Sequence, residues 1–292
     1  MNNQAHTLRT INTQNLKKND VSNSATRVLS ITSGKGGVGK TTVVANLAIL
    51  LARMRRRVLI LDANLGLANI DMIFGLTPRY NLNHFFAGHL DLESILVNGP
   101  EGIKILPAGS GAQRFTRLEP HQKLRLLDAL DSMNNEFDVV LIDTEAGISE
   151  NVTYFVTAAQ EILVVTTPEP TAITDAYALI KLLSTQYHEK QFGLLVNFIH
   201  SEEEALDVFR KLTIVTNRYL DISINYLGSI PVDKLMIDAI RRQKVIVELF
   251  PAAGSSAAFE SLTRTIIQEP QHMEPKGSIQ FFWKRLMNLS GK

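Results

Sequence analysis

Eight residues near the start of the chain, Gly34-Lys35-Gly36-Gly37-Val38-Gly39-Lys40-Thr41, fit the pattern G-x-x-x-x-G-K-[ST], whose chemistry suits a polyphosphate. The glycines free the backbone to curl so that amide N–H groups face phosphate oxygens. A helix beginning just after them aims its positive end at the same point. In this pattern Lys40 reaches the β- and γ-phosphates and the Thr41 hydroxyl ligates Mg²⁺. A glycine-rich turn can match by accident, but here an apolar run, Val28–Thr32, precedes the loop and a helical pattern, Thr41–Met54, follows it. That is the setting the motif requires. A dinucleotide site is the nearest rival, and Lys40 followed by Thr41 and Thr42 favours a triphosphate.

A second group of the right type stands at a strand end. The apolar run Val139–Ile142 leads into Asp143, and a carboxylate at the C-terminal edge of a parallel strand suits the Mg²⁺ side of a nucleotide site.

These groups need a sheet to hold them together. Strand-like runs at Val28–Thr32, Val58–Leu61, Ile103–Leu106, Val139–Ile142, Ile162–Thr166, Leu194–Asn197 and Ile224–Ile230 alternate with helical patterns. Those patterns include Thr41–Met54, Pro120–Met133, Thr171–Tyr187 and Glu202–Tyr219. Such alternation predicts an α/β fold, a doubly wound and mainly parallel sheet with helices on both faces. We expect a flexible arm with one short helix over 1–25, the nucleotide-binding domain over 26–267, and a linker with a terminal helix over 268–292. In that last segment Ile279, Phe282, Trp283, Leu286, Met287 and Leu289 share one helical face, which suits a lipid interface or a helix packed on its own domain.

Composition excludes several classes. With no cysteine, thiolate zinc sites, iron–sulfur clusters and cysteine nucleophiles are ruled out. A formal net charge of +1 gives no support to direct nucleic-acid binding. No run reaches the roughly 18 apolar residues that span a bilayer. A cytoplasmic protein with peripheral contact to the inner face of the membrane is the expectation.

The additional lysine in the phosphate loop, Lys35, resembles the mark of the deviant Walker A ATPases, which include MinD, ParA, the nitrogenase iron protein and the arsenite-pump ATPase. The resemblance implies a P-loop fold of the MinD/ParA type that takes ATP and Mg²⁺, with Lys35 reaching across a sandwich homodimer to the partner's nucleotide. The stretch Asp62-Ala63-Asn64-Leu65-Gly66-Leu67-Ala68-Asn69-Ile70-Asp71 is similar to D-A-D-L-G-L-A-N-x-D of the MinD and FlhG branches. It implies that Asp62 orders the Mg²⁺ shell and that position 64 acts with Lys35 and Lys40 in catalysis by orienting the attacking water. Asn64 stands where the pattern has Asp. An amide bonds a water but cannot take its proton, so slow hydrolysis is expected. Glu145, in Asp143-Thr144-Glu145-Ala146-Gly147-Ile148, is a second departure, from D-T-A-A-G-I. By the same resemblance Asn197, Pro231, Val232 and Asp233 belong to an adenine pocket, and Glu169 contacts nucleotide across the dimer.

Among the branches, the FlhG (FleN) regulators of flagellar number are the most similar. The cluster-carrying branches need thiolates, and the arsenite-pump branch carries two ATPase halves. Gln4-Ala5-His6-Thr7-Leu8-Arg9 resembles the FlhG activator element D-Q-A-x-x-L-R, with Asn3 where Asp is common. The stretches Pro170–Leu182 and Ala205–Thr213 also resemble FlhG more than MinD. The resemblance implies that Gln4, Leu8 and Arg9 stimulate the signal-recognition-type GTPase FlhF and that flagellar switch-complex and transcription regulators are further partners; from its helical spacing, the face bearing Phe282, Trp283 and Leu286 is expected to touch the membrane. A MinD- or ParA-type positioning ATPase, or a nucleotide-gated scaffold with negligible hydrolysis, is the alternative.

Overall fold

In the computed structural model, residues 26–64, 69–109, 120–133 and 136–268 are described. The arm residues Gln4, Leu8 and Arg9 and the tail residues Phe282, Trp283 and Leu286 lie outside them. In chain order the elements begin β1 (Arg27–Ser33), α1 (Lys40–Arg53), β2 (Val58–Ala63), α2 (Ile70–Ile73), α3 (Leu82–Phe86), α4 (Leu92–Ile95), β3 (Val97–Asn98), β4 (Lys104–Leu106) and α5 (Pro120–Ser132). They continue β5 (Val139–Ala146), α6 (Glu150–Ala158), β6 (Glu161–Thr166), α7 (Pro170–Tyr187), β7 (Gln191–Ile199), α8 (Glu202–Tyr219), β8 (Ser223–Pro231), α9 (Lys234–Arg241), α10 (Ile246–Leu249) and α11 (Gly254–Gln268).

The eight strands form one sheet in the order β3-β4-β2-β5-β1-β6-β7-β8. Among the described residues only the β3–β4 pair is antiparallel. The expected doubly wound sheet is therefore present, with the short strand β3 added at one edge. Alternate residues of the central strands feed opposite faces, as the period of two demands. Ile60 and Leu141 pack with Leu47, Ile49 and Phe259 on the side of α1 and α11. Leu59, Leu61 and Ile142 meet Leu82, Phe85 and Phe155 on the other side. Val164 and Leu194 continue that second layer with Leu179, Leu183 and Leu212 from α7 and α8. Covered on both faces, the central strands read as apolar runs, and each fully buried Leu or Phe adds about 1.5–3 kcal/mol over an exposed one.

The chain passes from β1 over β5 to β2 on one side, and later from β5 over β1 to β6 on the other. Reversal of strand order opens a crevice above the carboxyl ends of β1, β5 and β2, where ligands of open α/β sheets bind. Among the described residues no helix is long and apolar enough to cross a membrane.

Candidate nucleotide site

Strand β1 ends at Ser33, and the next residues curl back before α1 begins at Lys40. Two glycines of this loop are required for different reasons. A Cβ on Gly34 would lie 2.1 Å from the Asp175 carbonyl oxygen, so α7 comes this close only because position 34 has no side chain. Gly39 precedes α1 at φ 90°, in the left-handed region, and a Cβ there would meet Asn197 Nδ2 at 2.4 Å.

Lys40 is buried and donates from Nζ to Ser33 Oγ at 2.7 Å, while Ser33 Oγ donates to the Lys35 carbonyl at 2.7 Å. Burial lowers the pKa of the Lys40 ammonium, and the charge of Asp143 opposes that shift. Lys35 points the other way, toward solvent, where Nζ meets Glu169 Oε2 at 2.5 Å and Thr171 Oγ1 at 2.9 Å. Glu169 caps the start of α7 by position, followed by Pro170 at the first helical residue. Gly36 and Gly37 are exposed at the crest, Val38 is buried, and Thr41 and Thr42 are half-buried in the first turn of α1.

Parallel pairing of β2 and β5 puts Asp62 in register with Asp143. Both side chains are buried. Among the described residues Asp62 Oδ2 and both Asp143 carboxyl oxygens have no hydrogen-bond partner, whereas Asp62 Oδ1 accepts from the Asn64 N–H at 3.0 Å. Burial, then the charge of Asp143, drives the Asp62 carboxyl well above the usual range. Burial likewise raises Asp143, against the pull of the nearby Thr41 hydroxyl and the Lys40 ammonium. Two buried carboxyl groups served by one lysine are short of positive charge. Oxygen atoms without partners beside a threonine hydroxyl fit Mg²⁺, which takes one or two carboxylates and completes its shell with water and phosphate. Among the described residues no group of three or more His, Asp or Glu offers an all-protein metal cage.

The remaining residues named from the sequence lie around this centre. Asn197, at the end of β7, is buried and donates from Nδ2 to the Val38 carbonyl at 2.8 Å, while its Oδ1 accepts from the Phe198 N–H at 2.9 Å. One N–H and one lone pair of that amide stay available for a base edge. Pro231 ends β8 and Val232 is exposed beside it. The Asp233 carboxylate caps α9 through the Leu235 N–H at 2.9 Å and accepts from Ser255 Oγ at 2.8 Å. It is a structural fastener between α9 and α11.

Sequence reasoning did not single out Ser33, Thr171 or Phe198. Phe198 sits in the left-handed region at φ 61°, where the β7–β8 register slips, and its exposed ring lies 3.4 Å from the position of a Gly39 Cβ. An aromatic residue directly after Asn197 was the available signal.

With this geometry in place, comparison with known proteins narrows the family. The family model of an AAA domain matches residues 26–194. The antiactivator FleN of Pseudomonas aeruginosa is 44% identical over 261 residues, covering 89% of this chain and 93% of that protein. The flagellum site-determining protein YlxH of Helicobacter pylori is 31% identical over the full length of both chains. Among solved structures, the septum site-determining protein MinD of Pyrococcus horikoshii complexed with Mg-ADP superposes with a TM-score of 0.68 at 26% identity, covering 83% of this chain and 96% of that one. The chain is an ATPase and belongs to the FlhG/FleN family of MinD-like P-loop proteins.

Proposed function

We propose that this protein is an ATP-gated dimerising switch that sets flagellar number or placement. The observation that carries the gating is the state of Lys35. Its ion pair with Glu169 has side chains 36% and 64% exposed, and a solvent-screened pair of that kind is worth about 0–1 kcal/mol. A charge-assisted bond to a phosphate enclosed between two protomers is worth about 1.5–3 kcal/mol. Exchange of the Glu169 carboxylate for a partner's γ-phosphate is therefore downhill with ATP and has no driving force with ADP.

Within one protomer, loop N–H groups bind and orient the phosphates, and Lys40 leaves Ser33 Oγ for the β- and γ-oxygens. Thr41, Asp62 and Asp143 would hold Mg²⁺, which when bound supplies charge neutralisation at the phosphates. Asn197, Pro231, Val232 and the backbone of Asp233 border the place for the base, with Phe198 as an added apolar wall.

The flagellar reading is supported by the similarity to FleN and YlxH and by the Gln4-Ala5-His6-Thr7-Leu8-Arg9 element. In this reading Gln4, Leu8 and Arg9 stimulate FlhF, and the face bearing Phe282, Trp283 and Leu286 binds the inner membrane surface more tightly when two tails are paired in the dimer. Light scattering with Mg-ATP should give twice the mass seen with Mg-ADP, and Lys35→Ala should stay monomeric in both. A Lys35→Ala protein that dimerises as well as the parent removes the gate. An arm peptide that leaves FlhF turnover unchanged, or vesicle binding indifferent to nucleotide, removes the corresponding partner.

A further inference from the structure

Strand β7 carries one residue too many where it reaches the crevice. Asn197 pairs with Ile230 of β8 and Ile199 with the next residue, Pro231, so two steps of β7 answer one of β8 and Phe198 is the extra residue of a β-bulge. Bulges beside active sites re-aim a side chain. Asn197 and Ile199 are buried, whereas Phe198 is 41% exposed, more than any other phenylalanine among the described residues.

The bulge is held in an unfavourable form. Phe198 has φ 61°, a left-handed backbone that is rare for a bulky side chain and ordinary for Gly, Asn and Asp. Asn197 fixes it there, because its Oδ1 accepts the Phe198 N–H at 2.9 Å while its Nδ2 donates to the Val38 carbonyl at 2.8 Å. One side chain thus ties the end of β7 to the phosphate loop. The ring reaches the same loop: its Cζ lies 3.4 Å from where a Cβ on Gly39 would stand, one residue before Lys40. Val232, whose N–H donates to the Ile199 carbonyl at 2.9 Å, is 51% exposed. A single exposed apolar residue needs no explanation. A strained aromatic, set out of the ladder against the loop that receives phosphates, calls for a flat partner, and the base of a nucleotide has two such faces.

We infer that Phe198 is the platform on which the nucleotide base stacks, and that it makes the site favour purines over pyrimidines. Stacking grows with the overlap of the rings, so a two-ring purine gains more from Phe198 than a one-ring pyrimidine does. The strain at position 198 weakens the fold slightly and is kept because the ring binds ligand. This assignment rests on the ATP-site reading given above.

Calorimetry on the full chain with Mg-ADP, Mg-CDP and Mg-pyrophosphate tests it, and diphosphates keep dimer formation out of the measurement. The main variant is Phe198→Asn, because Asn accepts a left-handed backbone without offering a ring, and Phe198→Tyr keeps the ring. Phe198→Asn should bind ADP about tenfold more weakly than the parent, CDP less than about threefold more weakly, and pyrophosphate as the parent does. Its ligand-free melting temperature should not fall, and Phe198→Tyr should match the parent throughout. ADP binding by Phe198→Asn within about twofold of the parent overturns the assignment. An equal loss for ADP and pyrophosphate also overturns it, since the ring would then shape the loop. So does an equal loss for ADP and CDP, which would leave the ring without selectivity. A parent that binds neither ADP nor pyrophosphate would instead overturn the ATP-site reading.

Discussion

The two ends of the sheet treat charge in opposite ways. At the amino ends of the strands, Arg27 forks onto Glu161 and also donates to the Ile266 carbonyl, Arg57 meets Asp138 at 2.7 Å, Arg53 meets Glu101 at 3.0 Å, and Lys190 meets Asp221 at 2.5 Å. At the carboxyl ends, Asp62 and Asp143 are buried with three oxygen atoms unsatisfied, Lys40 is buried on a serine hydroxyl, and Phe198 takes a left-handed backbone. Paired, partly solvated charges at one end hold strands in register. Unpaired, desolvated charges at the other cost stability until a ligand of complementary charge arrives.

This contrast can be broken experimentally. The largest effect at the amino end is expected from Arg27→Ala, which strips the partner from Glu161 and the donor from Ile266. Urea unfolding should show a loss of roughly 1–3 kcal/mol, discounted for partial exposure, with nucleotide affinity unchanged. A parallel loss of affinity would mean that the two ends are not separable. A smaller effect belongs to Asp138, whose carboxyl is held below its usual range chiefly by its hydrogen bond from Arg57. Because the folded-state value is the lower one, its contribution is complete above the unfolded value and disappears as pH falls through the folded one. Asp138→Asn should therefore cost roughly 0.2–1 kcal/mol at neutral pH and nothing in strong acid. A cost independent of pH would assign the role to packing.

The carboxyl end also divides into parts that were legible in the sequence and parts that were not. The loop Gly34–Thr41 and strand-end Asp143 could be read because both depend on neighbours in the chain, and the long helices α1, α7 and α8 show their apolar period over three or more turns. Helices α2 and α3, of four and five residues, are too short to show a period. The Lys35–Glu169 pair and the Asn197–Val38 bond join residues 134 and 159 positions apart, contacts that no local pattern encodes. Asp233 teaches a different lesson. Ahead of the apolar Leu235 and Met236 it carries an ordinary helix-start signal as well as its likeness to a base pocket.

Thermal unfolding of the parent and of Asp62→Asn, each with and without Mg-ATP, tests most directly the claim that the carboxyl end is built to hold a cation. Asparagine keeps the bond from the Asn64 N–H and removes the charge beside Asp143, so ligand-free Asp62→Asn should melt higher, by roughly 2–4 °C for each kcal/mol relieved. The parent should gain about 2.7 kcal/mol at a hundred times the dissociation constant of Mg-ATP, and the variant should lose the Mg²⁺-dependent part of that gain. A ligand-free variant less stable than the parent, still stabilised in full by Mg-ATP, would contradict the account.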